Sequence, residues 1–253
     1  MESTLSLLRE QGVTHLAASF DSVIESFRNE MFSGYKSSLG MEPELLAQFP
    51  LAERGLRALG VVVWSNYEFE ADDAIAAAAV RWVEDVDQVV ILTPDKDLSQ
   101  VVVGDRIVAF DRMRQRLLDE DRVWEKFGVG PESIPDYLAL VGDSADGIPG
   151  IPGWGAKSSS ALLAAYRRLE MIPVSAADWT VAVRGAEKLA ANLAKNRELA
   201  FLYRELTTLR LDVPIAEELS DLEWKGARRG PLLELCAELG FDELADKVHL
   251  WSD

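Results

Sequence analysis

Eight carboxylates stand at four separate places in the chain: Asp21; Glu70, Asp72 and Asp73; Asp95 and Asp97; Asp143 and Asp146. The i, i+2 spacing of Asp95 and Asp97 puts both on one side of an extended segment, and the i, i+3 spacing of Asp143 and Asp146 puts both on one face of a helical turn. Hard oxygen donors in this number suit Mg²⁺ or Mn²⁺. Zinc is disfavoured, because His15 and His249 have no partner at ligand spacing and Cys236 is the single thiol. Unpaired, so acidic a cluster would repel itself and raise its own pKa values, a cost that cations remove. Two such ions about 4 Å apart can activate a water and stabilise the leaving oxygen of a phosphodiester. Taken singly, each acid is one of 43 Asp and Glu in 253 residues, and acids in a first helical turn complement the dipole without any function. The inference rests on the four places together.

Strand-like and helix-like stretches that alternate in the first half position these acids, a pattern of parallel strands with crossover helices. Strands are expected over residues 13–20, 61–64, 89–93 and 107–110, and helices over residues 51–59 and 70–83. Asp21 then follows a strand directly, and Asp95 and Asp97 follow another; in open α/β sheets ligands gather at these carboxyl ends. After about residue 127 the strand signal fades. Helices are expected over residues 131–141, 156–169, 185–208 and 232–239. Between the first two of these, residues 142–155 hold five glycines with Pro149 and Pro152, a tight hairpin that exposes its backbone.

The composition bounds the rest. A length of 253 residues with 48% hydrophobic and 27% charged residues is ordinary for globular chains and allows two domains. No apolar run approaches the roughly 18 residues of a membrane span, residues 1–15 lack a signal-peptide pattern, and a lone cysteine fits a reducing compartment. A cytoplasmic protein is therefore expected. The net charge of −17 argues against nucleic acid only if the acids face it. Where acids converge on cations, the total misreports the face that meets a substrate.

Three stretches resemble, in order, the motifs of the 5′ nuclease family, which includes the 5′-to-3′ exonuclease domain of bacterial DNA polymerase I and the flap endonucleases. They are Phe69-Glu70-Ala71-Asp72-Asp73, Thr93-Pro94-Asp95-Lys96-Asp97-Leu98, and Leu140-Val141-Gly142-Asp143-Ser144-Ala145-Asp146-Gly147-Ile148-Pro149-Gly150. The resemblance runs from about residue 14 to residue 213. It implies a PIN-like, mostly parallel α/β sheet with flanking helices over residues 1–128, with an arch insertion near residues 22–50. A helical DNA-binding region over residues 129–253 would carry a helix-three-turn-helix motif at residues 137–168.

The resemblance also implies roles. Asp21, Glu70, Asp72, Asp73, Asp95, Asp97, Asp143 and Asp146 would bind two Mg²⁺ or Mn²⁺ ions, directly or through water. Gly150, Gly153, Gly155, Lys157 and Ser158 match the family's hairpin. There, glycines let backbone N–H groups approach a phosphate, and the next helix adds its positive end. Such contacts position duplex and read no sequence. A K⁺ ion at this hairpin is a further implication. Arg28 and Lys36 match a basic pair that reaches the scissile phosphate from the arch, although Leu39 stands where many members carry another basic residue. Trp154 is expected in the core rather than as a wedge, and Arg112, Arg114 and Arg116 are accounted for by a charged β-hairpin.

The family opens with a strand bearing Asp-Gly, whereas this sequence opens with a helix expected over residues 2–10. One ligand fewer and unpaired backbone groups on neighbouring strands are therefore expected. A late start assignment is favoured over a fragment or a degenerate copy. The activity implied is a structure-dependent 5′-to-3′ exonuclease or flap endonuclease acting on DNA with 5′ ends or flaps, in primer removal or repair. It would be a monomer near the nucleoid, with a DNA polymerase in trans as partner. A catalytically weakened DNA-binding protein is the main alternative. A PIN-type ribonuclease is disfavoured because it should lack the hairpin.

Overall fold

The computed structural model describes residues 1–241 and 243–252. In chain order the elements are α1 (Glu2–Leu7), β1 (Ala17–Asp21), α2 (Phe27–Met31), α3 (Pro43–Leu46), α4 (Phe49–Ala58), β2 (Val62–Asn66), α5 (Ala71–Trp82), β3 (Val89–Leu92), β4 (Ile107–Asp111), β5 (Arg116–Leu118), α6 (Glu120–Phe127), α7 (Ile134–Val141), α8 (Ala156–Tyr166), α9 (Ala186–Lys195), α10 (Arg197–Thr207) and α11 (Arg229–Leu239). Two compact units emerge. The first comprises Met1–Ser26, Ser38–Ala74 and Val213–Asp253, and the second Phe27–Ser37 and Ile75–Asp212.

In the first unit β1 and β2 run parallel, with Ala17 opposite Val62 and Asp21 opposite Asn66. The valines and tryptophan of β2 favour a pleated, half-buried surface. Its core joins Leu5, Leu8, Ala58, Leu59, Val61, Ala227, Leu232 and Cys236, so helices α1, α4 and α11 share one apolar cluster. Just before β1 the chain pairs with a later segment: Leu16 donates to the carbonyl of Leu222 at 2.9 Å, and Trp224 donates to that of Thr14 at 3.1 Å. Beyond Asp21, Ser22 donates to Glu53 of α4 at 2.6 Å, and Ser65 of β2 donates to the same carboxylate. Arg57 completes the group at 3.0 Å from Glu53. Burial raises the Glu53 pKa, but the bonds from Ser22, Ser65 and Arg57 outweigh it and hold the carboxylate below its usual range. The strand ends are thereby tied to α4.

In the second unit β3 pairs with β4 in parallel and β4 with β5 antiparallel. Its larger core gathers Val123, Phe127, Ile134, Leu138, Leu140, Leu162, Leu163, Leu193 and Leu206, and a smaller one gathers Ala76, Ala79, Ile91, Leu98 and Ile107. Helix α7 is buried along almost its whole length, from Ile134 to Leu140. Asp136 lies within it at 0% exposure. Arg204 stands 3.4 Å and Arg168 3.9 Å from its carboxylate. Burial nevertheless leaves the Asp136 pKa raised.

The mostly parallel α/β character is as expected, but the strands form a two-stranded and a three-stranded sheet rather than one. Among the named strands, β1 pairs only with β2, and β3 only with β4. Several boundaries also move. The first strand begins at Ala17, not residue 13, and α1 ends at Leu7 instead of residue 10. The helix expected over residues 185–208 breaks at Asn196, which ends α9 and starts α10. Helix α8 stops at Tyr166 because Arg167 adopts a positive φ of 65°, and α7 is preceded by a short 3₁₀ turn at Pro131–Ser133. Among the described residues, no helix is long and apolar enough to cross a membrane.

Candidate metal centre

Each acid of the second unit is placed by its own local hydrogen bonds. After β3, the Asp95 N–H donates to the Thr93 hydroxyl at 3.0 Å, and the Asp97 N–H donates to Oδ1 of Asp95 at 2.9 Å. These two short turns lead the chain into a 3₁₀ turn at Asp97–Val101. That turn is held by Gln100, which donates to the Thr207 carbonyl at 2.7 Å and accepts from Leu209 N–H at 3.2 Å. Asp95 remains exposed, whereas Asp97 is 7% exposed.

Asp143 and Asp146 come from the hairpin that follows α7. Gly142 ends the helix with φ +90°, and Asp143 and Ile148 exchange backbone bonds at 2.8 and 2.7 Å. Oδ1 of Asp143 accepts from Ala145 N–H at 3.0 Å, and Lys96 donates to Oδ2. The Asp146 carbonyl accepts from Lys36 N–H at 3.0 Å, while the Lys36 ammonium lies 3.3 Å from its carboxylate. Gly147 also approaches the segment before Lys36 closely, since a Cβ there would sit 2.1 Å from the Gly34 carbonyl oxygen.

Ligand-capable oxygens of Asp97, Asp143 and Asp146 all lie within 4.8 Å of one another. Burial, then the charge of Asp95, then those of Asp146 and Asp143 push the Asp97 carboxyl up to about 8, against the opposing pull of Lys96. Its Oδ1 is buried without a hydrogen-bond partner. An orphaned buried carboxylate oxygen beside two further carboxylates fits a hard divalent cation, which would satisfy it and neutralise the repulsion. Lys96 has no role in the motif reading, yet its ammonium meets Asp143 and stands 3.7 Å from Asp97. Burial lowers its pKa, but the bond to Asp143 and the charges of Asp97, Asp143 and Asp95 outweigh burial and raise it overall. A cation set between two of the acids in Asp95-Lys96-Asp97 was the one available signal.

The first unit presents its own acids. Asp21 ends β1 and accepts from Ala71 N–H at 2.6 Å, at the first residue of α5. Asp73 accepts from Glu70 N–H at 3.0 Å, and Ser26 donates to Glu70 at 2.7 Å. Glu70 and Asp73 are buried, and Asp21 and Asp72 half-buried. The alanine-rich α5 with acids in its first turn forms as its propensities and dipole dictate.

Arg28 is turned inward. It is 2% exposed, donating to the carbonyls of Leu206 at 2.7 Å and Thr208 at 3.0 Å, with its guanidinium over the Phe27 ring at 4.6 Å. In the hairpin, Gly150 and Gly153 have positive φ, Gly155 caps α8 and its N–H donates to Ser158 Oγ at 3.2 Å, and Lys157 is exposed. Trp154 is buried and donates to the Leu189 carbonyl at 3.1 Å. Arg112 and Arg114 lie in the turn between β4 and β5, and Arg116 opens β5.

The 5′-3′ exonuclease N-terminal, resolvase-like domain family matches residues 1–128, and the 5′-3′ exonuclease C-terminal SAM-fold family matches residues 129–230. The chain belongs to the 5′-3′ exonuclease family. The family is one of metal-dependent 5′-3′ nucleases. DNA polymerase I of Pseudomonas aeruginosa is 38% identical over 253 residues, which cover 96% of this chain and 27% of that protein. DNA polymerase I of Bacillus caldotenax is 34% identical over 249 residues, covering 96% and 28%. The chain thus spans about a quarter of the length of these relatives. Among solved structures, T5 5′-exonuclease with bound zinc ions has a TM-score of 0.65 at 21% identity, covering 82% of this chain and 81% of that one. A bacteriophage T5 flap endonuclease in complex with DNA and metal ions has a TM-score of 0.61 at 19% identity, covering 97% and 86%. Both show the family's fold.

Proposed function

We propose that this chain is a structure-dependent 5′-to-3′ exonuclease and flap endonuclease that hydrolyses DNA phosphodiester bonds with Mg²⁺ or Mn²⁺. The observation that carries the reading is the Asp97, Asp143 and Asp146 cluster with the Lys36 ammonium against it. These three carboxylates would hold one divalent ion. Asp95, Asp21, Glu70, Asp72 and Asp73 are the further carboxylates that the motifs assign to metal. Bound divalent ions supply a Lewis acid and lower the pKa of water.

The chain's own residues do the rest. Lys36, anchored through its backbone to Asp146, presents a cation to the scissile phosphate. Arg28 fixes α2, the start of the same arch segment, to the end of α10. The glycines Gly150, Gly153 and Gly155 with Lys157 and Ser158 at the start of α8 grip the duplex backbone, and carbonyls of the same hairpin suit a K⁺ ion. DNA with 5′ ends or flaps is the substrate, in primer removal or repair, with a monomeric protein acting in the cytoplasm beside a polymerase in trans.

Cleavage of a 5′-flap substrate by the full chain, measured beside binding of the same substrate, tests this. Asp146→Asn and Asp95→Asn are expected to abolish Mg²⁺-dependent cutting while binding persists. Undiminished cutting would remove these residues from the site. Binding with no cutting by the unaltered chain, in either Mg²⁺ or Mn²⁺, would show a DNA-binding protein instead.

A further inference from the structure

We propose that Lys96 is a built-in counter-cation that occupies part of the metal site and must leave when the divalent ion enters, so that it sets the affinity for that ion. The inference rests on the reading of Asp97, Asp143 and Asp146 as ligands. Its own support is geometric. The Lys96 ammonium donates to Oδ2 of Asp143 and stands 3.7 Å from Oδ1 of Asp97, on oxygens of the residues that would hold the ion. That Asp97 oxygen is buried and has no hydrogen bond of its own. Among the described residues, the Lys96 ammonium is the cation that stands beside it.

Shared oxygens explain why this ammonium leaves. Lys96 donates to Oδ2 of Asp143 and stands 3.7 Å from Oδ1 of Asp97, so an ion held by those two carboxylates meets the ammonium where it would bind, and like charges that close repel. Of the two lysines at the cluster, Lys36 is the less free, because its side chain is 24% exposed and its ammonium lies 5.6 Å from the centroid of the Tyr35 ring. The Lys96 side chain is 34% exposed, and its flexible four-carbon stem lets the head swing to water without moving the backbone. The Asp95 and Asp97 backbones meanwhile stay pinned by their turn.

The test is a Mn²⁺ titration of the full chain by electron paramagnetic resonance, with Lys96→Met preserving the length and apolar stem of the side chain. Mn²⁺ is expected to bind the variant about tenfold more tightly. With chelator present, the variant should melt below the unaltered protein, and saturating Mn²⁺ should close that gap. Equal or weaker Mn²⁺ binding by Lys96→Met, beside an unaltered chain that binds, overturns the role of Lys96 alone. An unaltered chain that binds no Mn²⁺ overturns the metal reading as well. Should the variant fail to fold, amine labelling of the unaltered protein decides: labelling of Lys96 should rise when Mn²⁺ is added, and unchanged or lower labelling overturns the inference.

Discussion

Lys36 and Asp146 meet twice, once through the Lys36 N–H on the Asp146 carbonyl at 3.0 Å and once through the ammonium 3.3 Å from the carboxylate. The first contact is backbone and survives any side-chain change, so substitution isolates the charge. Lys36→Met should therefore leave the hairpin in place and lower single-turnover cleavage of a 5′-flap by about 100- to 1000-fold, as loss of a transition-state cation does. Mn²⁺ affinity should not weaken, since a competing positive charge has gone. A fall in rate matched by an equal fall in metal affinity would contradict this assignment.

Asp97 makes the protein's stability depend on pH in an unusual direction. Its folded pKa is raised to about 8, well above the ordinary aspartate range, chiefly by burial. The folded state therefore binds the proton more tightly, and the resulting stability is complete below about pH 4 and lost as pH rises through about 8. From this group alone, the melting temperature in chelator should fall between about pH 4 and about pH 8. A divalent ion takes the place of the proton, so stabilisation by Mg²⁺ should grow over the same range, and binding below about pH 8 should release a proton. Melting curves with chelator and with Mg²⁺ at each pH measure both. Asp97→Asn should flatten the chelator curve, and a variant curve as steep as the original would assign the effect elsewhere.

Arg28 is held by carbonyls, which separates two roles that sequence alone leaves joined. Arg28→Met leaves the Leu206 and Thr208 carbonyls without their charged donor in a buried place, at a cost of about 2–5 kcal/mol. The melting temperature should drop accordingly. At a temperature where the variant stays folded, single-turnover cleavage should remain within about fivefold of the original if Arg28 acts only by fixing α2. Full stability with cleavage lost would show instead that Arg28 leaves its carbonyls to reach the substrate.

The turns that carry Asp97, Asp143 and Asp146 are legible because each motif carries its own local instructions. Thr93 and Asp95 write the turns that deliver Asp97, and Gly142 with Asp143 writes the hairpin, all from neighbours in sequence. The inward turn of Arg28 was not legible, since its partners lie about 180 residues away. The contact of Lys96 is hidden for a related reason: its partner Asp143 is distant in sequence, and a lysine among acids is ordinarily solvated. The break at Asn196 falls in a continuous helical pattern, where a single residue with weak helix propensity carries little signal. The division into two sheets likewise depends on which strands pair, and periodicity within each strand does not specify that.

Two glycines of the hairpin should respond in opposite ways, which separates its folding from its grip on DNA. Gly147 has φ +74°, and a Cβ would sit 2.1 Å from the Gly34 carbonyl oxygen, backbone that cannot step aside cheaply. Gly147→Ala should cost about 1–3 kcal/mol and lower the melting temperature by several degrees. Gly155 has an ordinary φ of −151°, and a Cβ there meets nothing within 4 Å. Gly155→Ala should cost at most about 1 kcal/mol, the difference between glycine and alanine as a helix cap. A methyl at the start of α8 nevertheless stands where a phosphate must approach the helix N-terminus, so duplex binding should weaken by about tenfold. Melting temperature and duplex affinity measured for both variants check this. If Gly155→Ala binds duplex as well as the original while keeping its stability, the start of α8 is not where the backbone of DNA is held.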